Sequence, residues 1–558
     1  MAFQVSPGVQ VNEIDLTNVV PAVSTSIGGY AGAFNWGPVE EIVLVSSEKE
    51  LVNTFGSPTA ATSKSFHTAS SFLNYANALK AVRVVGTGAK NAAASEANAL
   101  LVKNAAAYAN ATLTNAGNWI AKYPGALGNS LAVSICPSAT AFTGWTYKSE
   151  FNEAPGTSSN ASSLYCTNDE MHIVVVDQDG LITGTKDTIL ERFAFVSKAS
   201  DALAQDGTSN YYVDVINNTS KYIWFANHDT NIAAVAGDSL TEGNATTPKN
   251  FGGYDSNITN SLSGGVDVLP VQANIETGYD LFADPETIDV NLLFSSEDVL
   301  STKLIAIADA RKDLVSFISP PIAATTVNSA PATAVKAWAD AVTTSSSYVV
   351  MDSSALKVYD KYNDGYVWIP ASGHVAGLCA NTDLVADAWF SPAGLNRGTI
   401  RGVTKLAFNP TKAQRDELFK ARVNPIVAMP GTGIVLFGDR TGLKKPSAFD
   451  AINVRRLFIA LEKSISTAAK AQLFEFNDEF TRANFRNAVE PFLRDIQGRR
   501  GITDFKVVCD ETNNTGDVID RNEFVADIYI KPARAIRGIT LNFIATRTGV
   551  SFNELTGA

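Results

Sequence analysis

Both ends of the chain alternate apolar and polar residues with the two-residue period of a β-strand. The alternation covers residues 4–16 and 536–549, and neither segment has a neighbouring strand with which to form a local hairpin. Both segments are therefore predicted to be extended arms. An unpaired strand is a hazard in a free monomer, but a neighbouring subunit can complete it by strand addition. On the residues alone, the preferred interpretation is that both ends pair within their own subunit. The apolar arm positions are Val5, Val9, Val11, Ile14 and Leu16 at the amino end and Ile536, Ile539, Leu541 and Phe543 at the carboxyl end.

Segments 23–85 and 286–370 show the alternation of strand and helix that is typical of a parallel sheet with crossover helices. Short apolar runs such as AVRVV and SYVVMD alternate with runs such as KLIAIADAR, in which apolar residues recur every three or four positions. The two segments are predicted to build one domain that is interrupted by an insertion.

Strand patterns dominate the intervening segment from about 130 to 265. LAVSI, MHIVVVDQDGLITG and YYVDVINN are predicted to be strands, and Asp179-Gly180 is typical of a hairpin turn. The Ala- and Asn-rich residues 86–116 and the pair Gly264-Gly265 are predicted to mark the entry and exit of this β-rich insertion.

The carboxyl-terminal block has longer helical patterns. Residues 453–474 carry an apolar stripe that includes Leu473 and predict an amphipathic helix. A second helix is predicted over 477–497, with a kink or restart at Pro491, and VADIYIKP is predicted to be a strand.

Together these patterns predict a multidomain protein of mixed α/β and α+β class. Its 558 residues fit three or four domains at about 100–200 residues each. The predicted parts are an amino-terminal arm (1–21), a discontinuous α/β middle domain (22–88 and 266–370), a β-rich inserted outer domain (89–265), a carboxyl-terminal α/β core (371–533) and a carboxyl-terminal arm (534–558).

Charge is unevenly distributed along the chain. The formal net charge is −12, yet residues 391–500 hold 19 basic and 10 acidic residues, a net +9. An acidic chain has no general electrostatic reason to bind nucleic acid, whereas a basic block suggests that one face meets an acidic partner. The alternative is a solvated flank that pairs with Glu479, Glu490 and Asp495. The arginines of this basic cluster on and after the predicted helix 477–497 are Arg482, Arg486, Arg494, Arg499 and Arg500.

The motifs of common enzyme chemistry are missing from the sequence. It contains no GxxxxGK[ST] loop, no HExxH and no GxSxG, and its four cysteines are far apart. The sharpest catalytic candidate is His374 with Cys379 and Asp383, but a tight turn into a helix, with Gly373 and Gly377 chosen for close packing, is the better interpretation. No catalytic residue, cofactor or metal site is predicted. The four cysteines indicate reduced, structural thiols of a protein made in cytoplasm, and neither a signal peptide nor a membrane-spanning run is visible.

Several short motifs, in order along the chain, resemble the sheath proteins of contractile phage tails. They are PGVQVNEID (7–15), FGSPT (55–59), YPGALGNSLAVSI (123–135), FADPETIDVNLL (282–293), PASGHVAGLCANTD (370–383), SPAGLNRGTIRGV (391–403), GDRTG (438–442) and INVRR (452–456).

The resemblance implies a structural virion protein of the phage tail and not an enzyme. It implies stacked hexameric rings around a tail tube, a metastable extended state and contraction that drives the tube through the host envelope. It also implies arms that donate strands to neighbouring subunits, a carboxyl-terminal core that touches the tube, and contacts with baseplate and tail terminator proteins. Nucleic acid and direct membrane insertion are not implied.

Three alternatives remain open at this point. The first is the sheath of a phage-like injection device, such as a tailocin or a type VI secretion system. The second is a cytoplasmic enzyme whose segment 286–370 binds a small ligand at the strand ends. The third is a surface-layer protein, which should carry an export signal.

Overall fold

The structure, a computed structural model, describes residues 24–95, 100–113 and 115–541. Within this range the chain divides into two compact units. The larger unit comprises the described residues up to 388 together with 392–460. The smaller unit comprises residues 389–391 and 461–541.

The larger unit contains twenty described strands. They are β1 Gly28–Gly32, β2 Ile42–Val45, β3 Leu79–Arg83, β4 Trp119–Ala121, β5 Leu131–Cys136, β6 Cys166–Thr167, β7 Glu170–Asp177, β8 Thr188–Ser197, β9 Ile223–Phe225, β10 Lys249–Asn250, β11 Ile258–Ser261, β12 Leu292–Phe294, β13 Val315–Ile318, β14 Val349–Asp352, β15 Ala355–Asp360, β16 Gly365–Pro370, β17 Val403–Leu406, β18 Val423–Asn424, β19 Ile426–Met429 and β20 Gly433–Leu436.

Its helices lie between these strands, and the last of them continues into the smaller unit. They are α1 Glu48–Phe55, α2 Ser63–Leu73, α3 Ala105–Ala109, α4 Ala139–Thr143, α5 Ser159–Ser163, α6 Tyr212–Thr219, α7 Gln272–Asp280, α8 Ser301–Arg311, α9 Ile322–Thr326, α10 Pro331–Ala341, α11 Ser372–Val385, α12 Lys412–Lys420 and α13 Ile452–Ala469.

A seven-stranded sheet forms the centre of the larger unit, in the order β18-β14-β13-β12-β1-β3-β2. All neighbours are parallel except β2 and β3, which are antiparallel. Because side chains of successive strand residues point to opposite faces, Tyr30 and Ala31 of β1 enter two different apolar clusters. Helices α2 and α11 pack on one face, and α7 and α8 pack on the other. Burial on both faces explains the continuous apolar strand runs seen in the sequence.

The two chain segments that enter and leave the insertion run side by side next to this sheet. Lys90 and Val266 exchange backbone hydrogen bonds of 3.1 Å, and Ala93 and Ser263 exchange bonds of 2.9 Å. Beyond this neck lies the antiparallel sheet β11-β5-β7-β8, with its own apolar core. Arg83 of β3 is buried beside the neck, where its guanidinium donates to the carbonyl oxygens of Phe34, Asn35, Gly37 and Pro124.

The smaller unit is built from one long helix on a two-stranded antiparallel sheet. Its elements are α14 Glu479–Gly498, β21 Ile502–Val508, α15 Gly516–Asp520 and β22 Asp527–Pro532. The side chain of Asp478 caps α14 by accepting the Thr481 N–H. The helix runs uninterrupted through Pro491, so the structure shows no restart there.

The mixed, multidomain α/β class is confirmed, and the parallel strand–helix alternation is found as predicted. The hairpin predicted at Asp179-Gly180 is present, since residues 178–187 connect the antiparallel strands β7 and β8. Two local predictions were wrong. Most of YYVDVINN is the helix α6 and not a strand. Helix α13 ends at Ala469, so Leu473 lies outside it.

The predicted boundary at residue 370 lies within one structural unit. Strand β18 follows that boundary in sequence but pairs with β14 of the seven-stranded sheet, and α11 packs against α2. Within the described chain the division into units falls at residues 388–392 and 460–461 instead. The domain limits given above remain a proposal.

Candidate assembly surfaces

The last described residues of the smaller unit, 534–541, do not join its sheet. The Ala533 N–H donates to the Gly501 carbonyl oxygen at 3.1 Å, and residues 534–541 form no strand. Ile536, Ile539 and Leu541 are 82%, 77% and 72% exposed. Apolar residues repeated at this exposure form a surface that a partner would cover. The remaining predicted arm residues Val5, Val9, Val11, Ile14, Leu16 and Phe543 lie outside the described residues.

The sheet beside this segment has room for further strands. Strands β21 and β22 pair with each other over Ile502–Val508 and Asp527–Pro532. No third strand flanks them among residues 461–541. A strand from another chain could therefore be added at an edge.

Helix α14 buries one stripe of side chains against the sheet. Phe485, Val489, Leu493 and Ile496 are buried, and so is Arg482, which is only 6% exposed. The Arg482 guanidinium donates to the carbonyl oxygen and the side-chain Oδ1 of Asn477, the latter at 2.9 Å. Arg482 therefore acts inside the subunit and is not available to an external partner.

The other members of the predicted basic cluster are more accessible. Arg486 is half-buried, whereas Arg494, Arg499 and Arg500 are exposed. Arg494 lies 3.4 Å from a carboxylate oxygen of Glu490, and Arg499 lies 3.6 Å from one of Asp495. The local pairing that the alternative interpretation predicted is thus present at two positions.

Specific contacts also hold the residues at the basic carboxyl end of α14 in place. The Arg499 guanidinium stacks over the Trp389 ring at 5.1 Å, and the Trp389 indole N–H donates to the Arg499 carbonyl oxygen. Arg500 has φ of +65° and ends the helix. The exposed cations therefore gather at the carboxyl end of the helix, where they also suit the helix dipole.

A buried ion pair in the larger unit holds the first described residues of the chain. An Arg456 nitrogen lies 2.6 Å from Asp383 Oδ2 and also donates to the Thr25 carbonyl oxygen at 3.1 Å. The Thr25 hydroxyl donates to the same Asp383 oxygen at 2.6 Å. Burial works against the charged guanidinium, but Asp383 raises the pKa of Arg456 above its usual value. Asp383 lies in the motif PASGHVAGLCANTD and Arg456 in INVRR, but no sequence pattern predicted that the two residues pair.

The His374–Cys379–Asp383 set does not form a nucleophilic site. Burial lowers the pKa of His374 to about 3 and raises the pKa of the Cys379 thiol to about 12. His374 Nδ1 lies 3.2 Å from the Tyr75 hydroxyl, while Asp383 is occupied by Arg456 and Thr25. A protonated thiol is a poor nucleophile. The close packing predicted for Gly377 is present, because an added Cβ would lie 2.4 Å from a Tyr75 ring atom. The tight turn predicted before the helix is wrong, because residues 372–377 already belong to α11.

The described part of the chain holds neither a metal-binding cluster nor a membrane-spanning helix. Residues 24–95, 100–113 and 115–541 contain no cluster of three or more His, Cys, Asp or Glu side chains that could hold a metal ion. Over the same ranges, every helix is too short or too polar to span a bilayer.

Three family models match successive parts of the chain. Residues 25–84 match the tail sheath protein Gp18 domain III N-terminal region, 279–442 match the phage tail sheath protein central domain and 444–546 match the phage tail sheath C-terminal domain. The tail sheath protein of Vibrio phage KVP40 is 32% identical, and the alignment covers 99% of both chains. The chain belongs to the phage tail sheath protein family. The tail sheath protein of Enterobacteria phage T4 is 31% identical over 99% of each chain. As a member of this family, the chain is a contractile-tail sheath subunit and a virion component.

Solved structures of sheath proteins share the fold. The sheath tail protein of Listeria innocua has a TM-score of 0.54 at 13% identity, covering 92% of this chain and 96% of that one. The sheath tail protein of Desulfitobacterium hafniense has a TM-score of 0.52 at 13% identity, covering 94% and 100%. At this identity the likeness concerns the fold alone.

Proposed function

We propose that this sheath subunit polymerises as stacked hexameric rings around a tail tube, remains in a metastable extended state and contracts to drive the tube through the host envelope. The observation that carries the proposal is the carboxyl-terminal segment, whose described residues 534–541 form no strand and expose Ile536, Ile539 and Leu541. The partners are further copies of the chain, the tail tube protein, and baseplate and tail terminator proteins, assembled in the host cytoplasm.

Strand donation by the arms links the subunits in this proposal. About six backbone hydrogen bonds at a net ~0.5–1.5 kcal/mol each would contribute on the order of 5 kcal/mol per donated strand. The open two-stranded sheet β21–β22 offers a free edge of the kind that strand addition requires.

The tube contact is assigned to the exposed basic end of α14. Arg494, Arg499 and Arg500 carry it, with Arg486 at its margin, whereas buried Arg482 does not take part. Exposed ion pairs contribute only about 0–1 kcal/mol each, so many subunits would be needed to hold a tube. Such contacts would also be weak enough to release during contraction.

The inserted domain, residues 89–265, is proposed to lie on the outer surface. Its entry and exit run side by side at Lys90–Val266, so a short linker could join the two ends. Replacing residues 90–265 with a Gly/Ser linker should leave a protein that still assembles. If the shortened protein is folded but never polymerises, the outer placement is wrong.

Deleting residues 1–16 tests the central proposal. The shortened protein should remain folded and soluble but should form no long sheaths, because one set of donated strands is missing. Circular dichroism would check the fold, and negative-stain microscopy beside the full-length chain would measure tube length. Tubes of normal length from the deletion variant would refute strand donation by this arm.

A further inference from the structure

The loop between α13 and α14, together with the first turn of α14, exposes four large apolar side chains within eight residues. Leu473 is 64% exposed, Phe474 106%, Phe476 84% and Phe480 72%. A large aromatic side chain can bury about 150–250 Å². This aromatic patch therefore offers on the order of 600 Å², at the upper end of what a monomer normally shows and close to one side of a stable interface.

The loop is held in place by specific contacts. Asn477, between Phe476 and Phe480, donates to Asn514 Oδ1 at 3.0 Å and to the Glu523 carbonyl oxygen at 2.8 Å. It accepts from buried Arg482. The buried arginine and its partners thus position the aromatic residues outward.

Backbone conformation adds an independent sign of function. Phe474 has φ of +71°, in the left-handed region that is unfavourable for a bulky side chain. Such conformations persist when the surrounding structure imposes them, and they concentrate at functional sites. Here the conformation accompanies a fully exposed ring, which gains no burial within its own subunit.

We propose that the aromatic patch is the docking surface for the carboxyl-terminal segment of a second copy of this chain. The segment brings Ile536, Ile539 and Leu541, which are equally uncovered. Identical subunits can satisfy two different exposed surfaces at once by a head-to-tail contact that repeats along a polymer. The inference rests on the proposed function, since it names the surface through which sheath copies are joined.

Distance favours a second copy over the segment of the same chain. The segment begins at Ala533, which is bonded to Gly501 beyond the carboxyl end of α14, whereas the patch lies at the amino end. The 20-residue helix is about 30 Å long. Residues 534–541 reach at most about 26–29 Å when fully extended. Their three apolar side chains therefore cannot all cover the patch of their own subunit.

The tail tube is the less suitable occupant. A tube must be released during contraction, and a contact of this apolar area would oppose release, whereas the basic end of α14 provides weaker, salt-sensitive contacts. A cross-link from the patch to tube protein would nevertheless identify the tube as the occupant and overturn the proposal.

Substitution of the patch tests the docking role in the full chain. The variant F476S/F480S should lose pelletable polymer, while its Tm stays within about 2 °C of wild type because the changed side chains are exposed. I536S/I539S/L541S should show the same loss. The control V327S/Y366S removes exposed apolar side chains elsewhere and should polymerise normally. If wild-type protein forms tubes and F476S/F480S forms them equally well, the patch proposal fails alone. If wild-type protein forms none, the proposed function fails.

Cysteine cross-linking tests the identity of the occupant. The four native cysteines are buried, so introduced thiols should react selectively. Co-assembled F476C and I539C chains should give a disulfide-linked dimer after oxidation, whereas R499C with I539C should not. Absence of the first band, or an intrachain disulfide in dilute F476C/I539C monomer, would overturn docking on a second copy.

Discussion

Replacing Arg456 with methionine should strongly destabilise the larger unit. Arg456 is buried, and its guanidinium donates to Asp383 Oδ2, to the Thr25 carbonyl oxygen and to the Cys379 carbonyl oxygen. Methionine fills much of the same space but removes the charge and every donor. The substitution therefore isolates the polar contribution better than a truncation to alanine would.

The expected magnitude follows from what Asp383 would retain. Its Oδ1 is buried without a hydrogen-bond donor, and its Oδ2 would keep only the Thr25 hydroxyl. Removing one partner of a buried ion pair typically costs about 3–5 kcal/mol, because the remaining charge is left uncompensated. We expect Arg456→Met to lower the free energy of unfolding by an amount in that range.

Urea unfolding of the monomer, followed by tryptophan fluorescence, would measure this loss. The control Arg494→Met breaks an exposed pair with Glu490 and should change the free energy by about 0–1 kcal/mol. The double variant R456M/D383L should recover most of the loss, since replacing both charges by apolar groups is often nearly neutral. A loss below about 1 kcal/mol in R456M, or a double variant no better than R456M, would refute the assigned role.

Three further predictions address other parts of the molecule. Replacing Arg494 and Arg500 with Glu should impair assembly on tubes but spare polymers that form without a tube. Wild-type sheath should also dissociate from tubes more readily at 1 M salt, because the Debye length falls from ~10 Å at 0.1 M to ~3 Å at 1 M. Normal sheathing of tubes by the variant would contradict this prediction. Gly377→Ala should lower the free energy of unfolding by about 1–3 kcal/mol, because the added Cβ would overlap the Tyr75 ring. The control Gly516→Ala should change the free energy of unfolding little, because the added Cβ would meet open space. Equal effects of the two substitutions would contradict the packing argument. Burial raises the pKa of Asp352 to about 7, above the ~3.9 of an exposed aspartate. Between these two pH values the folded state keeps a proton that the unfolded state loses. The free energy of unfolding should therefore fall as the pH rises from about 4 to 7. Asp352→Asn should flatten that dependence in thermal unfolding curves, and an unchanged pH profile would contradict the assignment.

The sequence predicted best where local pattern and tertiary environment agree. The parallel strands follow from apolar runs that need burial on both faces. YYVDVINN failed because aromatic and β-branched residues favour strands, whereas its burial pattern is helical, with Tyr212 and Ile216 buried four positions apart.

Arg482 was predicted to face an external partner, although its position in the helix pattern already indicates a buried side chain. Arg482 precedes Phe485 by three positions and Val489 by seven, the spacing of the buried stripe of α14. The position of Arg482 in the helix therefore predicts a buried side chain, whereas the net positive charge of the block suggested that Arg482 contacts an external partner. The partner that makes burial acceptable, Asn477, lies before the helix and follows from no periodic pattern.

Helix α14 separates two kinds of contact that the proposed sheath needs. At its amino end the pinned aromatic patch could gain on the order of 10 kcal/mol from buried apolar area, before the entropy cost of association. At its carboxyl end each exposed arginine could contribute at most about 1 kcal/mol, and salt weakens that contribution. In the proposed sheath, contraction would break the weaker set first, so that copies would stay joined while the tube is released. A rigid helix about 30 Å long would keep the two proposed surfaces apart, so that release of the tube would not disturb the link between copies.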